Sequence, residues 1–159
     1  MKRKNLITKY HQKEDAKSKA IYSDCEKYRY SLTRVWNKEA KKLHFVMLNP
    51  STATEIQNDP TVERCERRAR NLNFGSLLVT NIFAWRDTDP KKMKCAKEPI
   101  GVLNNKAILD GCNWADCTIA AWGNHGIYLD RGYDVMELLR KCDKPIFHLG
   151  ISKIGQPKH

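Results

Sequence analysis

The sequence predicts an α/β fold with three layers, in which helices cover both faces of a four-stranded, mainly parallel sheet. Short apolar segments typical of buried strands alternate along the chain with segments of helical periodicity. This alternation is typical of a parallel sheet whose strands are joined by crossover helices. The 159 residues are enough for one such domain with a substantial core, and no linker or internal repeat divides them.

The amino-terminal part of the chain predicts an arm and then a hairpin. Residues 1–20 are polar and basic with little periodicity, so we expect a basic arm that is frayed or helical, followed by a single α/β domain over residues 21–159. Polar and apolar residues alternate over 28–36, which predicts a half-buried strand. Residues 43–48 are apolar on both faces and predict a second strand. The short connection between the two strands predicts an antiparallel pair at one edge of the sheet.

The first helix is predicted between residues 58 and 75. Asp59 suits the N-cap, Pro60 the first helical position, and Gly75 a position just beyond the end. One face of this helix is apolar, which predicts packing on the sheet. That stripe consists of Val62, Cys65, Ala69 and Leu72.

The remainder of the chain continues the alternation of strands and helices. Apolar segments predict three further strands, at 76–85, 117–123 and 144–150. Amphipathic segments predict two helices between them, at 102–112 and 133–142. The long segment from 86 to 101 predicts a loop with a helical turn after Pro90.

The formal net charge of +11 and the isoelectric point near 9.5 favour anionic partners, namely nucleic acid, a nucleotide or an anionic surface. The same charge is also consistent with solubility and a basic tail alone. The six cysteines lack the spacing of a metal site, so we expect free thiols and neither a metal nor another cofactor. No apolar segment is long enough to cross a bilayer or to follow a basic start as in a signal peptide. We therefore expect a cytoplasmic protein without a membrane partner.

Ligands of open parallel sheets bind at the carboxyl ends of the strands, so the residues that follow each predicted strand are candidates for a pocket. These residues are rich in amides, hydroxyls, aromatic rings and cations, and acids are few. Such a set predicts a pocket that accepts an anion against an aromatic wall. The predicted substrate-binding residues are Pro50, Ser51, Thr52, Asn81, Phe83, Arg86, Asp89, Trp122, Gly123, His125 and Lys153, beside Asn49 and His159.

Each candidate also has a structural interpretation. Asn49, Pro50 and Ser51 are typical of a rigid turn. Trp122 suits a core position, and a lone His125 suits a structural role.

The arginines of the first helix have two interpretations as well. Arg64, Arg67 and Arg68 could bind nucleic acid if the start of the helix faces the pocket, and otherwise they form a solvated helix face. Asp59 suits a helix cap first, and a role at the site is the alternative.

Six motifs together resemble a domain family of unknown function found in small bacterial and phage proteins. The resemblance runs from Tyr28 to His159 and implies a shape without an activity. The motifs are FVMLNPSTA, NDPTVERC, VTNIFAWRDTDP, PIGVLNN, AAWGNHG and HLGISKIGQPKH.

A more distant resemblance is to the uracil-DNA glycosylase superfamily, whose members place a Gly-x-Asn-Pro or Gly-x-Asp-Pro motif after the first core strand. Here Asn49 and Pro50 match its last two residues, whereas Met47 stands at the glycine. Trp122-Gly123 is similar to the Trp-Gly that ends a strand in those enzymes, and residues 155–159 take the place of a late His-Pro-Ser motif. The resemblance implies a four-stranded parallel sheet with a pocket for a base.

The same resemblance implies catalytic roles. Asn49 would hold the attacking water, Phe83 would stack on the base, and His159 would donate to a carbonyl oxygen as charge develops there. Asp59 or Asp89 would help to orient the water.

Three classes of function remain open at this point. The first is an enzyme acting on a nucleobase, nucleotide or nucleic acid, most simply a glycosylase-like N-glycosidic hydrolase. The second is a module with the same fold that binds nucleic acid or a nucleotide without chemistry. The third is a protein-interaction factor, such as a phage protein that blocks a host enzyme; the charge of +11 argues against a DNA mimic.

Overall fold

A computed structural model describes residues 5–159 and shows an α/β fold built on one seven-stranded sheet. The strands are β1 (Leu6–Lys13), β2 (Ala16–Ser23), β3 (Arg29–Val35), β4 (Lys42–Met47), β5 (Ser76–Asn81), β6 (Cys117–Ala120) and β7 (Ile146–His148). The helices are α1 (Pro60–Asn71), α2 (Pro90–Cys95), α3 (Asn104–Trp114) and α4 (Arg131–Arg140), with a 3₁₀ segment over Asn124–Asp130.

The sheet is mixed, and its order is β1-β2-β3-β5-β4-β6-β7. Strands β5, β4, β6 and β7 are parallel to one another. Strands β1, β2 and β3 pair antiparallel, and β3 is antiparallel to β5. The predicted α/β class is thus confirmed, while the sheet has seven strands where the sequence predicted four with an edge hairpin.

Part of the predicted arm belongs to this sheet. Residues 6–20 lie in β1 and β2 instead of forming a frayed or helical segment, and residues 1–4 lie outside the described part of the chain. In β2 the alternate residues Ser18, Ala20 and Tyr22 are buried. The inward side chains of β2 are small or end in a hydroxyl. The alternation of polar and apolar residues that predicts a strand is therefore weak in this lysine-rich segment.

The predicted hairpin of the third and fourth strands does not form, because β5 lies between them. Strand β4 is buried over Leu43–Met47 and pairs with parallel neighbours on both sides. A strand that is apolar on both faces suits the centre of a sheet covered by helices better than its edge.

Helix α1 begins as predicted. The Asp59 carboxylate accepts a hydrogen bond from the backbone N–H of Val62 at 2.9 Å, and Pro60 is the first helical residue. The helix ends at Asn71, however, so Gly75 lies beyond its cap. A Cβ at Gly75 would lie 1.9 Å from the carbonyl oxygen of Asn37, which explains the glycine by a close backbone approach.

The parallel register assigns residues to the two faces of the sheet. Phe45, Ile119 and Phe147 are paired across β4, β6 and β7 and therefore share a face. Phe45 and Ile119 pack in one core cluster with buried residues of α1. Among the helices of residues 5–159, only α1 contributes to that cluster, and buried residues of α2, α3 and α4 belong to the cluster on the opposite face.

A buried histidine lies where α3 approaches the sheet. His44 Nε2 is 2.7 Å from Thr80 Oγ1, and His44 Nδ1 is 3.1 Å from Thr118 Oγ1. A Cβ at Gly111 would lie 2.9 Å from the His44 ring, so the glycine permits the close approach. Burial lowers the pKa of His44 to about 3, and the imidazole is neutral at ordinary pH.

Candidate functional site

A small cleft opens between α1 and the carboxyl ends of β4, β6 and β7, at the edge of the sheet where the sequence predicts a pocket. We call it the α1 cleft. Its volume of about 80 Å³ is small beside the roughly 300–1,000 Å³ of pockets that hold whole small molecules, so it suits a phosphate-sized group better than a nucleoside. The lining residues are Phe45, Met47, Thr61, Arg64, Cys65, Arg68, Ala121, Leu149 and His159.

Two of the three predicted arginines line the α1 cleft. Arg64 and Arg68 are one helical turn apart and exposed, and neither forms a salt bridge within residues 5–159. Arg67 is not among the lining residues, and its guanidinium lies 3.6 Å from the carboxylate of Glu63. The alternative of a solvated helix face therefore describes Arg67, whereas Arg64 and Arg68 face the edge of the sheet.

His159 lines the cleft and is partly open to solvent. Packing against the cleft lowers the pKa of His159, the positive charge of Arg64 lowers it further, and Asp59 raises it. A neutral imidazole is therefore favoured, which can donate one hydrogen bond and accept another. A Cβ at Gly123 would lie 3.3 Å from the Cβ of His159, so this predicted pair is in contact.

Cys65 is the nucleophilic side chain among the lining residues. Burial raises the pKa of its thiol to about 12, and Asp59 raises it as well. The thiolate needed for attack is thus disfavoured, and Cys65 serves as an apolar part of the cleft.

Trp122 is a core residue that holds the carboxyl-terminal segment. Its indole is buried, and Nε1 donates to Gln156 Oε1 at 2.9 Å. The backbone N–H of Gly123 donates to the carbonyl oxygen of Pro157 at 2.8 Å. These bonds place the segment that ends in His159 beside the cleft, while the Trp122 ring itself is not a stacking surface.

Replacing Gly126 by alanine is expected to disturb this arrangement. The added Cβ would lie 2.3 Å from Trp122 Cδ1, so the indole must move, and we expect a loss of about 1–3 kcal/mol in the free energy of unfolding. Urea denaturation of Gly126→Ala measures it. The control is Gly155→Ala, where no atom lies within 4 Å of the added Cβ and only the positive φ of 85° adds strain. An equal loss in both variants would show that contact with Trp122 is not the cause.

The predicted loop after β4 does not face the α1 cleft. Asn49 Nδ2 donates to the carbonyl oxygen of Asp87 at 2.8 Å and thus ties this loop to the one after β5. Pro50 is buried. Ser51 and Thr52 line a second, open groove of about 530 Å³, which also includes Glu26, Lys27, Trp85, Arg86, Asp87 and Thr88.

Two predicted substrate-binding residues at the end of β5 are buried. Asn81 Oδ1 accepts a hydrogen bond from Arg29 Nη2 at 3.3 Å, and the ring of Phe83 packs against that of Tyr128 with centroids 5.8 Å apart. Neither lines the α1 cleft or the open groove.

Three further candidates lie elsewhere. The Asp89 carboxylate caps α2 by accepting from the N–H of Lys91 at 2.9 Å. Burial and the charge of Lys94 lower the pKa of His125, and Asp89 raises it, so the two candidates share a neighbourhood. Lys153 is exposed in the turn after β7.

Sequence reasoning missed three important residues. Thr61 and Leu149 line the cleft, and Arg29 is buried, with Nη1 donating to the carbonyl oxygen of Ala53 at 3.0 Å. The helical spacing of Thr61 with Arg64, Cys65 and Arg68 was the available signal for the first. No local pattern indicates a buried arginine.

Comparison with known proteins places the chain in a family. The family model described as "Protein of unknown function (DUF1643)" matches residues 29–159. The chain belongs to this family. The match covers β3 to β7, all the helices and the whole α1 cleft, whereas β1, β2 and two residues of the open groove, Glu26 and Lys27, precede it. No curated protein and no solved structure matches the chain.

Two further features of the described residues concern metal ions and membranes. Residues 5–159 hold no group of three or more histidine, cysteine or acidic side chains arranged for a metal ion. No helix in the same range combines the length and the apolar character needed to cross a membrane.

Proposed function

We propose that this DUF1643 protein binds nucleic acid or a nucleotide by holding a phosphate group in the α1 cleft. The observation on which the proposal rests is the grouping of Arg64, Arg68 and His159 around a small opening with an apolar base. Arginine pairs with phosphate through two parallel hydrogen bonds, and neither arginine is neutralised by an acidic side chain within residues 5–159.

Two further properties support an anionic ligand. Thr61 lies in the first turn of α1, where the helix dipole favours negative charge. The net charge of +11 raises the local concentration of polyanions around the whole molecule.

N-glycosidic hydrolysis is the second candidate function, favoured by the distant resemblance to uracil-DNA glycosylases. The strands β5, β4, β6 and β7 are parallel, Asn49 follows the central β4, and His159 returns to the same edge. In this version Asn49 Oδ1 would orient water, because Nδ2 donates to the Asp87 backbone. The burial of Phe83 removes the expected stacking partner and favours binding without base excision.

The cleft is tested by the affinity for a fluorescein-labelled short oligothymidylate. Losing two charge-assisted contacts in Arg64→Ala/Arg68→Ala is expected to weaken binding about 10- to 100-fold and to lower the salt slope by about 1.4, because each contact with a single strand contributes about 0.7. The matched control Arg67→Ala/Lys106→Ala removes two charges that are engaged in surface salt bridges. Equal losses in both double variants would contradict a defined cleft and indicate binding by net charge alone.

The hydrolytic version is tested by release of free base from oligonucleotides with normal and deaminated bases. Loss of release in Asn49→Ala with unchanged affinity would support catalysis at the loop after β4. Binding without release by the wild type leaves the binding module as the function.

A further inference from the structure

We propose that the bound nucleic acid is single-stranded, and that its bases lie on an uncovered part of the sheet beside the α1 cleft. We call this surface the β7 face and define it by Phe147 and Leu149. The inference rests on the proposed function, because it names the class of nucleic acid that the same site binds.

The β7 face is an exposed apolar continuation of a covered surface. Phe147 continues the row of Phe45 and Ile119, yet it is 55% exposed, and the following Leu149 is 38% exposed. Sheets of this kind normally have helices over both faces. Within residues 5–159, α1 is the one helix packed on this face, and β7 is the outermost strand.

The β7 face and the α1 cleft share a residue. Leu149 lines the cleft together with Arg64 and Arg68, and it follows β7 two positions after Phe147. The exposed ring of Phe147 is therefore two residues along the chain from a residue that lines the cleft with both arginines. Another cation is near, since the side chain of Lys158 would lie 3.2 Å from a Cβ at Gly150.

This combination matches the chemistry of a single strand. An unpaired strand exposes the apolar faces of its bases together with its phosphates, and proteins bind it by base stacking on aromatic side chains along a basic groove. A duplex hides those base faces, and a mononucleotide has too little extent to cover both surfaces. The open β7 face and the paired arginines are thus explained by one ligand.

The test compares three labelled probes: a single-stranded oligothymidylate, an abasic strand with the same number of phosphates, and a duplex of the same length. Wild type is expected to prefer the single strand at least about tenfold over the other two. Phe147→Ala should weaken single-strand binding about 5- to 100-fold and leave abasic binding unchanged, since stacking alone is lost. The matched control is Tyr10→Ala, which removes an aromatic ring that is 74% exposed on β1 at the opposite edge of the sheet.

The outcomes separate this inference from the proposed function. Loss of binding in Arg64→Ala/Arg68→Ala with no effect of Phe147→Ala would overturn the β7 face and leave the phosphate site standing. Absence of binding to every probe would remove both. Tighter binding of an apolar peptide with acidic ends, lost in Phe147→Ala, would overturn the inference in favour of a protein partner. Phe147→Leu is a second variant, which keeps the apolar area. Circular dichroism of both variants excludes a folding defect as the cause.

Discussion

Arg29→Met is expected to lower the free energy of unfolding by about 3–5 kcal/mol, because a buried charge that donates to a loop and to the end of β5 is lost. Arg29 Nη1 donates to the Ala53 carbonyl at 3.0 Å and Nη2 to Asn81 Oδ1 at 3.3 Å. Burial lowers the pKa of Arg29 to about 10, and the nearby Asp59 raises it, so the guanidinium stays charged at neutral pH. Without it, the buried Asp59 loses a neighbouring positive charge.

Urea denaturation of Arg29→Met measures this effect. Arg67→Met is the control, because its exposed i,i+4 pair with Glu63 contributes only about 0.5 kcal/mol or less. Methionine fills the volume of the arginine stem, so the comparison concerns charge and hydrogen bonds more than packing. Equal stability of wild type and Arg29→Met would mean that the desolvation of Arg29 offsets its hydrogen bonds, against this prediction.

The second large effect is a loss of stability in acid caused by His44. Its folded pKa of about 3 lies below the unfolded value of 6.5, so below pH 6.5 the unfolded chain binds a proton that the folded chain excludes. The stabilising contribution is therefore complete above pH 6.5 and falls as the pH decreases toward 3. At about 1.4 kcal/mol per pH unit, the expected loss between about pH 7.5 and 5 is about 2 kcal/mol.

The measurement is the free energy of unfolding as a function of pH for wild type and His44→Gln. Glutamine does not titrate, and its amide can still bond to Thr80 and Thr118. The difference between the two curves isolates His44 from the other four histidines. Parallel curves would show that His44 does not contribute to the acid sensitivity.

The sequence predicted the helices and strands whose formation depends on residues close together in the chain. The cap at Asp59, the proline at position 60 and the apolar stripe of α1 set that helix before any tertiary contact is known. The alternation over 28–36 likewise identified β3, and the apolar segments found the parallel strands.

The order of the strands and the partners of the polar side chains could not be obtained in the same way. Asn49, Asn81 and Phe83 lie at or just after strand ends, where pocket residues are expected. Each instead contacts a residue far away in the sequence: Asn49 donates to the Asp87 backbone, Asn81 accepts from Arg29, and Phe83 packs on Tyr128. Arg64 and Arg67 are alike in the sequence, and only the direction of the helix face distinguishes them. The sequence could therefore predict which edge of the sheet carries the candidate site. Which residues line the cleft depends on tertiary packing and could not be predicted.

The position of β5 between β3 and β4 has a consequence for synthesis on the ribosome. Strands β1 to β3 can pair with one another as soon as they emerge, but the partner of Leu32, Val79, is the 47th residue added after it (79 − 32 = 47). Until then the inner edge of β3 stays open, and an open strand edge invites pairing with other nascent chains. Slow translation before residue 76 would prolong that exposure, so chaperone dependence is expected to be greatest while this stretch is being made.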